Sequence, residues 1–129
     1  MILLSEILYQ LNDVYYNYAL SHKQFTKALQ GVNLTICKGE AVTVVGPSGC
    51  GKSTLLALLS GLTMPTAGEI LFEGKRLNGI NRQAMLILQD YGLFPWKTVA
   101  ENVALGLHLN RRENRLTKQE IIDKTDNIL

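Results

Sequence analysis

With 129 residues, of which 47% are hydrophobic and 19% charged, the chain is long enough to bury a core and too apolar to be disordered. Its net charge of +2 is too small to argue for nucleic acid or an anionic membrane surface, and no run of about 18 apolar residues predicts a bilayer-spanning helix. Met1–Leu11 has no basic flank and an early Glu6, so no secretion signal is expected and the chain is expected to stay in the cytosol.

Residues 6–18 mix alternation with aromatics, and Val14, Tyr15, Tyr16, Asn17 and Tyr18 read as the end of an edge strand. Residues 19–27 read as a polar loop, and Ala28–Ile36 as a second strand with apolar positions at 32, 34 and 36. Lys38-Gly39-Glu40 is a turn into Ala41–Val45, a short β-branched run expected to form a strand buried on both faces of a parallel sheet.

Gly46-Pro47-Ser48-Gly49-Cys50-Gly51-Lys52-Ser53-Thr54 comes next: a glycine, four residues, then Gly-Lys-Ser. A triphosphate needs many donors converging on one small volume, where side chains would crowd one another but backbone N–H groups can meet. Gly46, Gly49 and Gly51 are expected to adopt φ > 0 and bring the main chain close to the phosphates. Lys52 supplies a mobile charge for the β- and γ-phosphates, and the Ser53 hydroxyl a Mg²⁺ ligand. Ser53–Leu59, rich in Leu and Ala, reads as a helix whose N-terminus points at the phosphates. Strand, glycine loop and helix in this order predict nucleotide binding. The three nearby tyrosines either pack in the sheet or offer one ring face to an adenine.

Cys50 lies inside the loop, where a disulfide to Cys37 would constrain it, so both thiols are expected to be reduced. Neither has a partner set for zinc, and the isolated His22 and His108 are expected to be surface or satisfied histidines.

Past the helix, Gly61 is a C-cap and Met64–Gly68 a breaker cluster, followed by a strand over Glu69–Glu73 closed by Gly74-Lys75. After a polar stretch over 75–83, Ala84–Leu88 is a second expected buried strand, ending on Gln89-Asp90. A polar residue at the end of such a strand is where open α/β folds place ligand contacts, and Asp90 could be a Mg²⁺-holding aspartate. Against that, Gln89 precedes it and Gly92-Leu93-Phe94-Pro95-Trp96 breaks the chain at once into an aromatic loop. Phe94, Pro95 and Trp96 fill the domain's own core or form a docking surface. Thr98-Val99-Ala100-Glu101 and Thr117-Lys118-Gln119-Glu120 are capping boxes, so helices begin there; the first carries apolar positions 99, 103 and 107, and the last runs to Ile128-Leu129 without a stop signal. Arg111, Arg112, Arg115 and Lys118, interrupted by Glu113, read as a solvated face.

The loop Gly46–Thr54 followed by Leu55-Leu56, then Ser60-Gly61-Leu62 and Pro65-Thr66-Ala67-Gly68-Glu69-Ile70, resembles an ABC transporter ATP-binding subunit. The run Leu88-Gln89-Asp90-Tyr91-Gly92-Leu93-Phe94-Pro95-Trp96-Lys97-Thr98-Val99, with Glu101-Asn102-Val103, is similar to the nitrate, sulfonate, taurine and bicarbonate importer group, in which a Pro-Trp pair follows the glutamine loop. One departure is Leu88, where those importers usually have Phe.

The resemblance implies an α/β phosphate-loop NTPase core of the ABC ATPase type with an N-terminal antiparallel β portion, incomplete at its C-terminus. Residues 1–97 would be the ATPase core and 98–129 the start of a helical subdomain. It gives Tyr18 the role of stacking on adenine, and Gln89 that of sensing Mg²⁺ and the γ-phosphate. The implied cofactors are ATP and Mg²⁺. The implied partners are a membrane permease touching residues 90–96, a second ATP-binding subunit and, indirectly, a substrate-binding protein, with the chain peripheral on the inner face of the membrane. The family's Leu-Ser-Gly-Gly-Gln signature, Asp-Glu pair and switch histidine would all lie after Leu129, so the chain resembles the N-terminal half of an ATPase, and turnover by these residues alone is not expected. The alternatives are a nucleotide-binding or permease-docking module without turnover, and another phosphate-loop enzyme using Asp90 for Mg²⁺.

Overall fold

The computed structural model describes residues 6–19, 24–89, 91–109 and 116–128. His22, Asp90, Arg111, Arg112, Arg115 and Leu129 lie outside the described residues. Two compact units divide the chain, Met1–Leu86 and Ile87–Leu129.

The first unit holds β1 (Ile7–Ala19), β2 (Phe25–Cys37), α1 (Lys52–Leu59), β3 (Ala67–Phe72) and β4 (Lys75–Arg76). The strands form one antiparallel sheet in the order β2-β1-β3-β4. β1 is therefore an interior strand, not the edge strand its aromatics suggest, because β3 returns along its free side after α1. The second strand starts earlier than its apolar pattern indicates, taking in residues 25–27, and β4 claims the first two residues of the expected polar stretch.

Tyr9, Leu11, Val14 and Ile70 on one face of the sheet, with Leu29, bury against Leu55 and Leu58 of α1. Strict alternation along β1 would take this face from Tyr9 and Leu11 to Asp13, yet Val14 is fully buried and Asp13 exposed. The cause is a bulge. Leu11 pairs with Leu34 but Val14 with Val32, and against β3 Asn12 pairs with Glu69 but Tyr15 with Ala67, so β1 carries one extra residue relative to both neighbours. Asp13 absorbs it in the left-handed region, at φ 46°. The inward face then continues through Val14, Tyr16 and Tyr18.

α1 ends cleanly. Gly61, at φ 72°, donates to the Leu58 carbonyl and Leu62 to the Ala57 carbonyl, the paired bonds that satisfy a helix's last acceptors. A buried polar node supports this end: the Tyr9 hydroxyl donates to the Leu59 carbonyl (3.0 Å) and accepts from Asn81 Nδ2 (2.9 Å), while Asn81 N donates to the Ser60 carbonyl.

Ala41–Val45 and Ala84–Leu88 are not strands and not buried. Val45 is 87% and Met85 90% exposed, and neither run belongs to the sheet. Their β-branched, apolar composition suits a parallel sheet, but a strand exists only where a neighbour accepts its ladder bonds, and among the described residues neither has one.

The second unit contains α2 (Val99–Leu109) and α3 (Lys118–Asp126). Both capping boxes form: Glu101 N donates to Thr98 Oγ1 and Thr98 N to the Glu101 carboxylate, and the same reciprocal pair joins Thr117 and Glu120. The face of α2 is displaced from the expected 99/103/107 stripe. Val99 is exposed while Ala104 is buried, and Ala104, Leu105, Ile121 and Ile122 line a cavity of about 330 Å³ between the two helices. α3 ends at Asp126 with Asn127 as its C-cap, short of the chain end.

Candidate functional site

The loop over 46–54 lies between the exposed run 41–45 and α1. Its glycines divide by physical role. Gly49 (φ 80°) and Gly51 (φ 97°) occupy the left-handed region as expected, whereas Gly46 does not. At Gly46 a Cβ would sit 2.7 Å from Cys50 Sγ, so a side chain there would require the exposed Cys50 thiol to turn aside. At Gly51 a Cβ would lie 2.7 Å from the Ala28 carbonyl oxygen and 2.8 Å from Leu29 Cδ2, so the loop's last glycine is pressed onto β2. That contact falls where β2 is irregular: Tyr16 pairs with Leu29 but the next residue, Asn17, with Lys27. The loop thus rests against β2 where the β1–β2 ladder is irregular.

Lys52, the first residue of α1, turns back over the loop. Its Nζ donates to the carbonyls of Gly46 (2.8 Å) and Pro47 (2.7 Å) and approaches Cys50 Sγ at 3.6 Å. The ammonium is thereby held above the loop rather than free in solvent. The N-terminus of α1 has no side-chain cap and no acidic residue in its first turn, so its partial positive charge is uncompensated by the protein. A left-handed glycine pair, an uncapped helix N-terminus and one lysine meet here, which is the chemistry of a polyphosphate cradle. Ser53 is exposed in the first turn and offers one hydroxyl. A single protein oxygen suits Mg²⁺, which keeps most of its waters and takes other ligands from substrate phosphates. No group of three or more His, Cys, Asp or Glu able to hold a metal exists among the described residues.

Tyr18 is brought to the same place. Its hydroxyl lies 2.9 Å from Thr54 Oγ1, its ring meets that of Tyr16 edge to face at 4.9 Å, and 46% of the residue is exposed. Tyr16 in turn accepts a hydrogen bond from Thr63 Oγ1 at 3.0 Å, beyond the C-terminal end of α1. β1 therefore grips α1 near both ends, and a half-open aromatic ring stands beside its N-terminus.

Gln89 lies in the second unit, exposed, before a turn in which Tyr91 (φ 61°) and Gly92 (φ 62°) are both left-handed. The aromatic loop after it is held by a residue whose part the local pattern hides: Asn102 Oδ1 accepts from Phe94 N, and its Nδ2 donates to the carbonyls of Phe94 and Thr98. Phe94 and Trp96 pack edge to face at 5.2 Å, and Trp96 is 76% exposed. The side chains this loop presents face solvent rather than a core of their own unit.

The family model of the ABC transporter matches residues 29–129. The chain is 45% identical over 101 residues to the nitrate import ATP-binding protein NrtC of Synechococcus elongatus, 74% of this chain and 15% of that protein. It is 48% identical over 80 residues to the bicarbonate transport ATP-binding protein CmpC of the same species, 62% of this chain and 12% of that protein. Among solved structures, a dimeric ATP-binding cassette in a post-hydrolysis state with ADP and Pi superposes with a TM-score of 0.78 at 29% identity, over 93% of this chain and 55% of that one. The chain thus spans about half of the solved cassette and a small part of each of the two curated relatives.

Proposed function

The chain belongs to the ABC transporter family, and from that membership we propose that it carries the ATP-binding half-site of an import ATPase for a small anion of the nitrate or bicarbonate kind. The observation that carries this reading is the convergence on the N-terminus of α1 of the folded-back Lys52, the left-handed Gly49 and Gly51, and Tyr18. In this reading the triphosphate lies along the loop from Gly46 to Thr54. The N–H groups of Gly49, Cys50, Gly51 and Lys52 hold its oxygens, and Lys52 exchanges two loop carbonyls for phosphate. Ser53 is the protein ligand of Mg²⁺, which would neutralise charge developing on the phosphates. Pro47 and Ser48 shape the loop's crest, and Tyr18 takes the adenine on its exposed ring.

Gln89 is the second Mg²⁺ and γ-phosphate contact, and the exposed aromatics between Tyr91 and Trp96 meet a membrane permease. In the whole protein two such subunits bind MgATP and hydrolyse it to drive uptake, with a substrate-binding protein engaged through the permease, and the assembly sits at the inner face of the membrane. Residues 1–97 serve as the ATPase core and 98–129 open the helical subdomain. The experiment is photolabelling with MgATP carrying an azide on the base. Label on the peptide containing Tyr18, lost in Lys52→Ala, is the expected result; label confined to other peptides would overturn the site.

A further inference from the structure

We infer that the bulge at Asn12-Asp13, with Asn33 and Gly68 that fit it, is a positioning device for base recognition: it decides which face of the sheet Tyr18 occupies. The inference rests on the reading of Tyr18 as the adenine contact.

Side chains in a strand alternate with period two, so a single extra residue inverts the facing of everything beyond it. Tyr9 and Leu11 face α1 before the bulge, and Val14, Tyr16 and Tyr18 face it afterwards. Without the extra residue Asn17 would stand where Tyr18 stands, and Tyr18 would turn to the opposite face, away from Thr54.

Three features hold the extra residue in place. Asp13 N donates to Asn33 Oδ1 and Asn33 Nδ2 donates to Asp13 Oδ1, both at 3.0 Å, so one amide clasps the bulged residue through backbone and side chain together. The same Nδ2 reaches the Gly31 carbonyl at 3.2 Å, where β2 is itself left-handed (φ 61°). On the other side, the crest of the bulge presses on β3. A Cβ at Gly68 would fall 2.1 Å from the Asp13 carbonyl oxygen and 2.5 Å from that of Asn12, distances no side chain accommodates.

The prediction concerns the base, not the phosphates. Stacking of a base on one aromatic ring contributes roughly a tenfold preference. A slipped β1 loses that preference while the cradle on α1 keeps its hold on phosphate. The experiment compares, in the full chain, the dissociation constants of MgATP and of magnesium tripolyphosphate. Tyr18→Leu is expected to lose about tenfold in the ratio, and if it does not, the adenine reading itself fails. With that established, Gly68→Ala and Asp13→Val are expected to lose a similar factor, tripolyphosphate binding being kept as proof of a folded cradle. Asp13→Gly, which tolerates the left-handed backbone, is expected to retain the ratio. A ratio unchanged in Gly68→Ala and Asp13→Val, or lost equally in Asp13→Gly, would overturn the inference.

Discussion

The Tyr18 hydroxyl and Thr54 Oγ1 stand 2.9 Å apart, joining an interior strand of the sheet to the first turn of the helix that follows the glycine loop. The bond is between two side chains at the rim of the proposed site, and it orders the ring. Tyr18→Phe is accordingly expected to change MgATP affinity by less than about threefold, since the ring remains. Titration calorimetry of that variant beside Tyr18→Leu separates the hydroxyl from the ring.

Gly49 and Gly51 share a left-handed backbone but not a neighbourhood. A Cβ at Gly49 meets nothing within 4 Å, whereas one at Gly51 meets the Ala28 carbonyl and Leu29. Gly51→Ala is therefore expected to lower the unfolding free energy by more than Gly49→Ala, in which only the backbone cost of about 1 kcal/mol is felt. Urea unfolding of the two variants provides the comparison.

Leu58 is fully buried, while Leu56, two residues back on the same helix, is 47% exposed. Leu58→Ala is expected to cost about 2–5 kcal/mol, through lost transfer energy and the cavity left behind, and Leu56→Ala less than about 1 kcal/mol. Equal losses in denaturant melts would contradict the packing of α1 against β1 and β3.

The Tyr9 hydroxyl satisfies both the Leu59 carbonyl and Asn81, so Tyr9→Phe leaves two buried polar groups short of a partner and is expected to cost about 1–3 kcal/mol. Burial pushes the Tyr9 phenol above the usual tyrosine range, against a smaller opposing pull from Asn81. The native state therefore favours the neutral phenol, and this contribution is present at neutral pH and lost as the pH rises through the folded-state value. Alkaline unfolding of the wild type should be steeper than that of Tyr9→Phe.

Glu101 and Glu120 are held below the ordinary carboxylate range, chiefly because each accepts the backbone N–H of its capping threonine, Thr98 or Thr117, and then its hydroxyl. Their folded-state values are depressed, so the stabilisation is present above the ordinary carboxylate range and lost as the pH falls through those lower values. The helical circular-dichroism signal should decline on acidification, and the decline should be smaller in the Glu101→Gln, Glu120→Gln double variant.

The parts of this architecture that local chemistry specifies were legible in the sequence. The two capping boxes, the left-handed Gly61, the helix after Lys52 and the hairpin strands each depend on residues within a turn or two of one another. The misreadings share a cause: they turn on partners distant in sequence. Ala41–Val45 and Ala84–Leu88 have strand composition but find no ladder neighbour among the described residues. β1 is interior because β3 returns beside it. The bulge did leave a trace, since the inward residues run 9, 11, 14, 16, 18 with Asn12-Asp13 at the break in phase. The site was legible as a loop, but the clasp from Asn33 and the fit of Gly68 needed the fold.

The most direct test of the proposed half-site is the affinity of MgATP for the full chain and for Lys52→Ala, measured by calorimetry. Lys52 holds two loop carbonyls at 2.8 and 2.7 Å and is proposed to exchange them for phosphate oxygens. Losing those charge-assisted bonds is expected to weaken binding at least about a hundredfold. An unchanged dissociation constant would place the nucleotide somewhere other than this loop.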